Sequence, residues 1–297
     1  MTVHDGNGWT RCGRGHRHWG RHGAAGLLLA APDQAGRPMV MLQQRSWWGS
    51  HGGAWGPPGG ARDSHESVVR AALREAIEEC AIDPGPVRVH GVLTDDHGGW
   101  TYQTVLANTF GPLPAAAVSE ETSEVAWVPV AEVERLRLHP GFAGMWPALR
   151  TALSPLTIIV DAANVMGSRP DGWWRDRAGA ARRLCDQIGE LALSGVTRLP
   201  ESVLVPAIDR WFPQFVVVVE GAAVAMPDSG EDGQPRIVRA RGSGDDEIVR
   251  QAAGIAGPRL VVTADRELRS RCEAVGASVF GPGWLLASVT GLAIVPE

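Results

Sequence analysis

Two short apolar runs, "AAGLLLAA" (24–31) and "PMVMLQQR" (38–45), flank the turn "PDQAGR" and predict a pair of strands. In "GGARDSHESVVRAALREAIEECAI" (59–82) the spacing changes. Val68, Val69, Ala72, Leu73, Ala76 and Ile77 recur every three or four residues, which predicts a helix behind a glycine turn, with Ser64 as its N-cap. Further strands are predicted in "VRVHGVLTDD", "YQTVLANTF" and "VAWVPV", the last leading into a helix from Ala131. This half reads as α+β, mixed strands around one marked helix.

The pattern changes again after Leu149. "LTIIVDAANVMG", "FVVVVEG", "RIVRARG", "RLVVTAD" and "ASVFG" are strand-like, and "RDRAGAARRLCDQIGELAL", "DDEIVRQAAGIA" and "RELRSRCEAV" are helical runs among them. Apolar strands alternating with helices predict an α/β domain with a mostly parallel sheet. The expected seam is Ser154–Pro155, giving domains 1–153, with an N-terminal arm 1–22, and 154–297. The longest apolar runs are strand-sized, so no membrane span is expected.

Composition changes this picture little. Hydrophobic residues make up 44% of the 297 and charged residues 21%, enough apolar content for packed cores. The formal net charge of −5 gives no overall pull toward nucleic acid, and every basic side chain is Arg. Cys12, Cys80, Cys185 and Cys272 lie far apart, and the start lacks a basic stretch followed by an apolar one. A cytoplasmic protein with reduced thiols is the expectation.

The chemistry concentrates in the helix of the first half. Glu75 and Glu79 stand four apart on one face with Glu78 beside them, a spacing at which like charges destabilise a helix by roughly 0.2–0.5 kcal/mol per pair. A divalent cation reverses the sign, since hard carboxylate oxygens suit Mg²⁺ or Mn²⁺. Arg74 can hold one carboxylate through its fork, and Gly59 and Gly60 are expected to supply backbone conformations closed to other residues. A solvated acidic face is the competing reading for any two of these acids alone.

Gly60, five residues, Glu66, seven residues and "REAIEECAI" together resemble the Nudix box of the nucleoside-diphosphate-X hydrolases, over about residues 20–150. One position departs: Ala81 stands where the family usually has Gly, which is expected to strain the loop without removing a ligand. The resemblance implies an α/β/α sandwich and cleavage of a phosphoanhydride by water. It implies metal on Glu75, Glu78 and Glu79, support from Glu66, and a further carboxylate from a later loop; Arg74 stands with the glutamates as a catalytic candidate. "SEETSE" offers Glu120, Glu121 and Glu124 for this role, with Glu121 as the catalytic candidate.

Gly60, Arg45 and Trp48 are the candidate substrate contacts for a nucleotide or nucleoside-diphosphate derivative. Trp47, Trp55 and Trp100 are further stacking candidates whose alternative is packing. In "CGRGHRHWGRHG", Cys12, His16, His18 and His22 fit no common structural zinc spacing, so the favoured reading is a basic arm.

In the second half acids fall at strand ends or helix starts: Asp161, Glu220, Asp245, Asp246 and Asp265. Each alone reads as a cap; several converging on one edge call for a cation. "VDAANVMG", "GDDEIV" and "VTADRELR" resemble the NYN branch of the PIN-like nuclease domains, over about 156–290. That resemblance implies Mg²⁺ or Mn²⁺ held by Asp161, Asp245 or Asp246, and Asp265, with Asn164 beside them, and hydrolysis of RNA. Arg169, Trp173, Trp174 and Arg175 are the candidate phosphate and stacking contacts, a solvated amphipathic helix being the alternative.

The sequence therefore predicts a metal-dependent hydrolase of nucleotide substrates coupled to a PIN-like ribonuclease. The alternatives are a nucleotide-pool-cleansing pyrophosphohydrolase and a second half that binds RNA without cutting it.

Overall fold

The structure is a computed structural model that describes residues 4–48, 51–170, 172–200, 208–226 and 234–290. Residues 1–3 of the expected arm and Asp171 in the "RPDGWW" stretch lie outside this set. The chain divides into two compact units, Met1–Leu153 with Pro206–Asp209, and Ser154–Val205 with Arg210–Glu297. Among the described residues no helix is long and apolar enough to cross a membrane.

The first unit opens with a hairpin, β1 (Trp9–Arg11) and β2 (Arg17–Trp19), where a basic arm is expected. Then come β3 (Ala24–Pro32), β4 (Pro38–Arg45), β5 (Trp55–Gly56) and β6 (Gly59–Ala61). Helix α1 (Val68–Cys80) follows, then β7 (Arg88–Asp96), β8 (Thr101–Asn108), β9 (Thr122–Pro129) and α2 (Pro140–Thr151).

These strands form a mixed sheet around β3. It runs parallel to β8 and antiparallel to β4 and β6; β7 pairs with β8, and β9 and β5 pair with β4. Residues 24–31 of β3 are all buried, which is why the run reads as continuously apolar rather than alternating. The helix expected from Ala131 is only a 3-10 segment, Val130–Arg135, before α2.

Helix α1 differs from expectation in two ways. Its N-cap is Ser67, whose hydroxyl accepts from Arg70 N, while Ser64 bonds Asp5 instead. Its buried face carries Ala71, Ala72, Ala76, Glu79 and Cys80, and Ile77 is exposed. The helix is thus rotated so that a carboxylate, rather than an isoleucine, faces inward.

The second unit holds β10 (Thr157–Asp161), α3 (Ala162–Gly167), α4 (Arg177–Ser194) and β11 (Arg210–Trp211), which bridges Val196. It continues with β12 (Gln214–Val219), β13 (Arg236–Arg239), α5 (Gly244–Gly254) and β14 (Arg259–Val262). Helix α6 (Arg266–Ala274), β15 (Ser278–Phe280) and α7 (Pro282–Thr290) complete it. The sheet order is β13-β12-β10-β14-β15 and every pairing is parallel.

Side chains alternate between two cores. Ile158, Val160, Val217 and Val262 pack with α3, α4 and α7, whereas Ile159, Val216, Val218 and Val261 pack with α5 and α6. Both faces are covered, as a parallel sheet requires. The chain builds outward from β10 to β13, then returns to the other side for β14. That reversal opens a crevice beyond the carboxyl end of β10, where Asp161 stands.

Candidate functional site

In the first unit the site is built where β6 meets α1. Gly59 and Gly60 pair with Gly26 and Ala25 of β3, which fixes the turn against the sheet. Neither glycine has a positive φ, so the expected conformational reason does not hold. The reason is space. A Cβ on Gly60 would lie 2.6 Å from a Glu75 carboxylate oxygen, and one on Gly59 would lie 2.6 Å from Ala25 O. The glycines let backbone come directly up to the acids.

Arg74 organises the carboxylates. Its Nε donates to Glu66 Oε1 at 2.8 Å and its Nη2 to Glu66 Oε2 at 3.0 Å and to Ala61 O at 2.9 Å. Its Nη1 donates to Glu75 at 2.8 Å and to Glu78 at 3.1 Å. Glu79 turns the other way, its Oε2 accepting from Gln43 Nε2 and from Gly59 N, each at 2.8 Å. The four glutamates are therefore neighbours, but what Glu66, Glu75 and Glu78 share is the guanidinium.

The charges respond to these surroundings. The Arg74 bonds hold the Glu66 carboxyl below its ordinary range. Burial pushes Glu75 up, outweighing Arg74. Burial, with the Glu75 charge, pushes Glu79 to about 7. The bonds from Glu66 and the charge of Glu75 raise Arg74, which stays protonated.

The remaining candidates separate. Glu121 lies within electrostatic reach of Glu75. The Glu120 and Glu121 carbonyls accept from Ser46, and Glu124 sits in β9 opposite Gln44. Arg45, at the end of β4, is within electrostatic reach of Glu79. Trp47 and Trp48 are 70% and 77% exposed, open to a ligand, whereas Trp100 is buried and Trp55 half-buried in β5. Trp47 packs its ring over Gly53, where a Cβ would lie 2.7 Å from it.

The donor set fits a hard divalent cation: all oxygen, one carboxylate buried, and a glycine cradle that a methyl would fill. Ala81 ends α1 in the left-handed region, φ 54 and ψ 32, its N–H directed at Ala76 O and Ile77 O. A non-glycine residue held in that region is strained, as expected from the departure at this position.

In the second unit the acids gather at the carboxyl edge of the parallel sheet. Asp161 Oδ1 accepts from Asn164 N at 3.1 Å and Oδ2 from the Thr263 hydroxyl at 2.9 Å. Asn164 Oδ1 accepts from Ala264 N at 2.9 Å, tying α3 to the end of β14. Asp265 caps α6 through Leu268 N, and Glu220 accepts from Gly244 N at 2.8 Å at the start of α5.

Burial raises the Asp161 carboxyl, and the charges of Asp245 and Glu220 add to this. Asp245 is raised by burial and then by Asp265, Glu220 and Asp246, against Arg271. Asp246 itself points outward and pairs with Arg271. Asp161, Glu220, Asp245 and Asp265 thus form one repelling group of hard oxygens, a donor set that suits Mg²⁺ or Mn²⁺.

Of the proposed RNA contacts, Trp174 is exposed and Trp173 receives the Arg177 guanidinium 5.3 Å from its ring. Arg175 is exposed, while Arg169 is drawn to Gln187 at 3.1 Å.

A sequence model of the NUDIX domain matches residues 20–150, all in the first unit. A protein described as "Putative 8-oxo-dGTP diphosphatase 3" of Mycobacterium tuberculosis is 45% identical over 160 residues, covering 52% of this chain and 72% of that one. A nucleoside triphosphate pyrophosphatase/Nudix hydrolase fusion protein of Bifidobacterium longum is 39% identical, covering 52% of this chain and 33% of that one. Among solved structures, the Nudix hydrolase RenU of M. smegmatis has 44% identity and a TM-score of 0.46, covering 49% of this chain and 93% of that one.

Proposed function

The chain belongs to the Nudix family, and from that premise we propose that its first domain, residues 1–153, hydrolyses a phosphoanhydride bond in a nucleotide or nucleoside-diphosphate derivative. The observation that carries this reading is the Arg74-centred carboxylate set, packed against a turn whose glycines leave no room for a side chain. Glu75, Glu78 and Glu79 would hold Mg²⁺ or Mn²⁺, which supplies charge neutralisation of the diphosphate and a more acidic water. Arg74 fixes the rotamers of Glu66, Glu75 and Glu78, and Glu121 stands ready as the further carboxylate. Arg45 and Gly60 contact phosphate, and the exposed face of Trp48 stacks on the base.

The diphosphatase named above makes oxidised purine nucleoside triphosphates the first substrates to try. A screen of oxidised and unmodified nucleotides, nucleoside-diphosphate derivatives and capped RNAs with Mg²⁺, detecting phosphate and the nucleoside product, tests the reading. Phosphoanhydride cleavage in at least one class is expected; no cleavage of any by the folded chain overturns it.

A second reading concerns residues 154–297, for which we propose a PIN-like, divalent-cation-dependent ribonuclease domain. Its support is Asp161 at the end of the central strand, at the reversal of the sheet, facing Asp245 and Glu220. Asp161, Asp245 and Asp265 would hold the cation, Asp246 is the alternate ligand and Asn164 positions Asp161. Asp161→Asn should abolish Mn²⁺-dependent RNA cleavage while leaving the first domain's hydrolysis unchanged. Equal cleavage by both chains sinks the assignment, and RNA bound but cut by neither favours a binding regulator. The four cysteines form no disulfide with one another, and a reducing, cytoplasmic setting is part of this reading.

A further inference from the structure

A different donor set closes around the N-terminal hairpin. Strands β1 and β2 pair with Thr10 opposite His18 and Arg11 opposite Arg17, and the turn between them carries Cys12 and His16. Cys12 N donates to His16 O at 3.0 Å and Gly15 N to Cys12 O at 2.9 Å, so the turn is tightly closed. The loop joining β7 to β8 lies against it, with Gly13 N bonded to Gly98 O, and brings His97 to the same place. One donor atom from each of Cys12, His16, His18 and His97 lies within 4.8 Å of all the others.

Three further observations point to an occupant. His18 Nε2 and His97 Nδ1 are buried with no hydrogen-bond partner, and such groups are normally satisfied. The other nitrogen of His97, Nε2, lies 3.0 Å from Asp95 Oδ2. That is the carboxylate–histidine arrangement which orients a metal-ligating ring and leaves its opposite nitrogen for the metal. His18 is fixed from behind by stacking on Trp100, 4.0 Å between centroids at 11°, and Trp100 is itself held by Nε1 donating to Gly20 O at 2.8 Å. Both rings are held in place, and each keeps a buried nitrogen without a partner. His22 is elsewhere, 3.8 Å from Asp5.

We propose that Cys12, His16, His18 and His97 form a structural zinc site that clamps the N-terminal hairpin to the β7–β8 loop. One thiolate and three imidazoles make a borderline-soft set that selects Zn²⁺ over the Mg²⁺ or Mn²⁺ suited to the carboxylates. Four protein ligands leave no open position, so the site is structural rather than catalytic. With Zn–N of about 2.0–2.1 Å and Zn–S of about 2.3 Å, tetrahedral edges are roughly 3.3–3.6 Å, so binding would draw the donors inward by at most about 1 Å. The clamp reaches toward the loop before α1, because the same N-terminal segment donates Gly6 N to Asp63 at 2.8 Å.

The test uses the full chain, stripped by chelator and reloaded with Zn²⁺ or Co²⁺ alone in excess Mg²⁺. About one equivalent of zinc should be retained, and the melting temperature should rise on reloading. Co²⁺ should give a thiolate-to-cobalt charge-transfer band with the strong visible absorption of a tetrahedral ion. Cys12→Ser should lose the charge-transfer band and His97→Asn should lose the zinc-dependent thermal shift, while His22→Ala keeps both. If either variant fails to fold, the band and the shift in the native chain decide alone. A native chain with neither, or a Cys12→Ser chain with an unchanged thiolate band, overturns the proposal.

Discussion

Arg74 grips Glu66 with two parallel hydrogen bonds, Nε to Oε1 at 2.8 Å and Nη2 to Oε2 at 3.0 Å, across eight residues of chain. Their side chains are only 21% and 11% exposed, so water screens the pair weakly. A lysine would keep the charge and lose the fork. Arg74→Lys should therefore lower stability by about 1–2 kcal/mol, read from the urea midpoint at unchanged m. An unshifted midpoint would show that the fork holds nothing in place.

Glu79 should separate activity from stability. Its carboxylate is buried and accepts from Gly59 N and Gln43, bonds that the oxygen of a glutamine can also accept. Removing the charge relieves burial and the repulsion from Glu75. Glu79→Gln should thus be at least as stable as the native chain without metal. Its kcat should fall about 100-fold or more, since loss of metal stabilisation is worth several kcal/mol and each tenfold in rate about 1.4 kcal/mol. Full hydrolysis of every native substrate would remove Glu79 from the site.

At Ala81 a gain is expected. The left-handed conformation costs a non-glycine residue roughly 1–2 kcal/mol, and the greater unfolded freedom of glycine returns about 0.5–1 of it. Ala81→Gly should raise stability by about 0.5–1 kcal/mol with kcat unchanged. A lower melting temperature would mean that the methyl group packs usefully.

His139 gives a pH signature. Its Nδ1 caps α2 by accepting from Gly141 N at 3.2 Å, which requires the neutral ring. Burial, with His51 and Arg45, holds the imidazole down at about 4. Because the folded value lies below the unfolded one, of about 6.5, the stabilisation is complete above pH ~6.5 and drains away as pH falls toward 4. His139→Asn keeps a capping oxygen and does not titrate. Between pH 6.5 and 4 the native chain should lose on the order of 1 kcal/mol relative to the variant, after allowing for partial exposure. Parallel melting curves across that range would contradict the assignment.

The sequence made the α1 glutamates legible because their spacing is local: one helix and one turn place them. The parallel sheet of the second unit was legible for a similar reason, since strands buried on both faces read as unbroken apolar runs. What escaped was set by distance or rotation. Ser67 rather than Ser64 caps α1, and Ile77 is exposed while Glu79 is buried, because the helix docks on its alanine face. His97 reaches Cys12 only once β7 and β8 are paired, and no spacing within residues 12–22 announces it. Asp209, beyond the expected seam, returns to β7, its N–H donating to Val92 O at 3.0 Å.

The register of β6 on β3 also has a kinetic meaning. Gly59 and Gly60 are laddered to Gly26 and Ala25, in a strand buried along residues 24–31 and paired on both edges. Amides in such a strand exchange with solvent only when the whole unit opens. The glycine pair is thereby fastened to a strand whose amides are expected to exchange slowly, and a ligand arriving there would meet a surface already formed rather than one that has to be assembled around it.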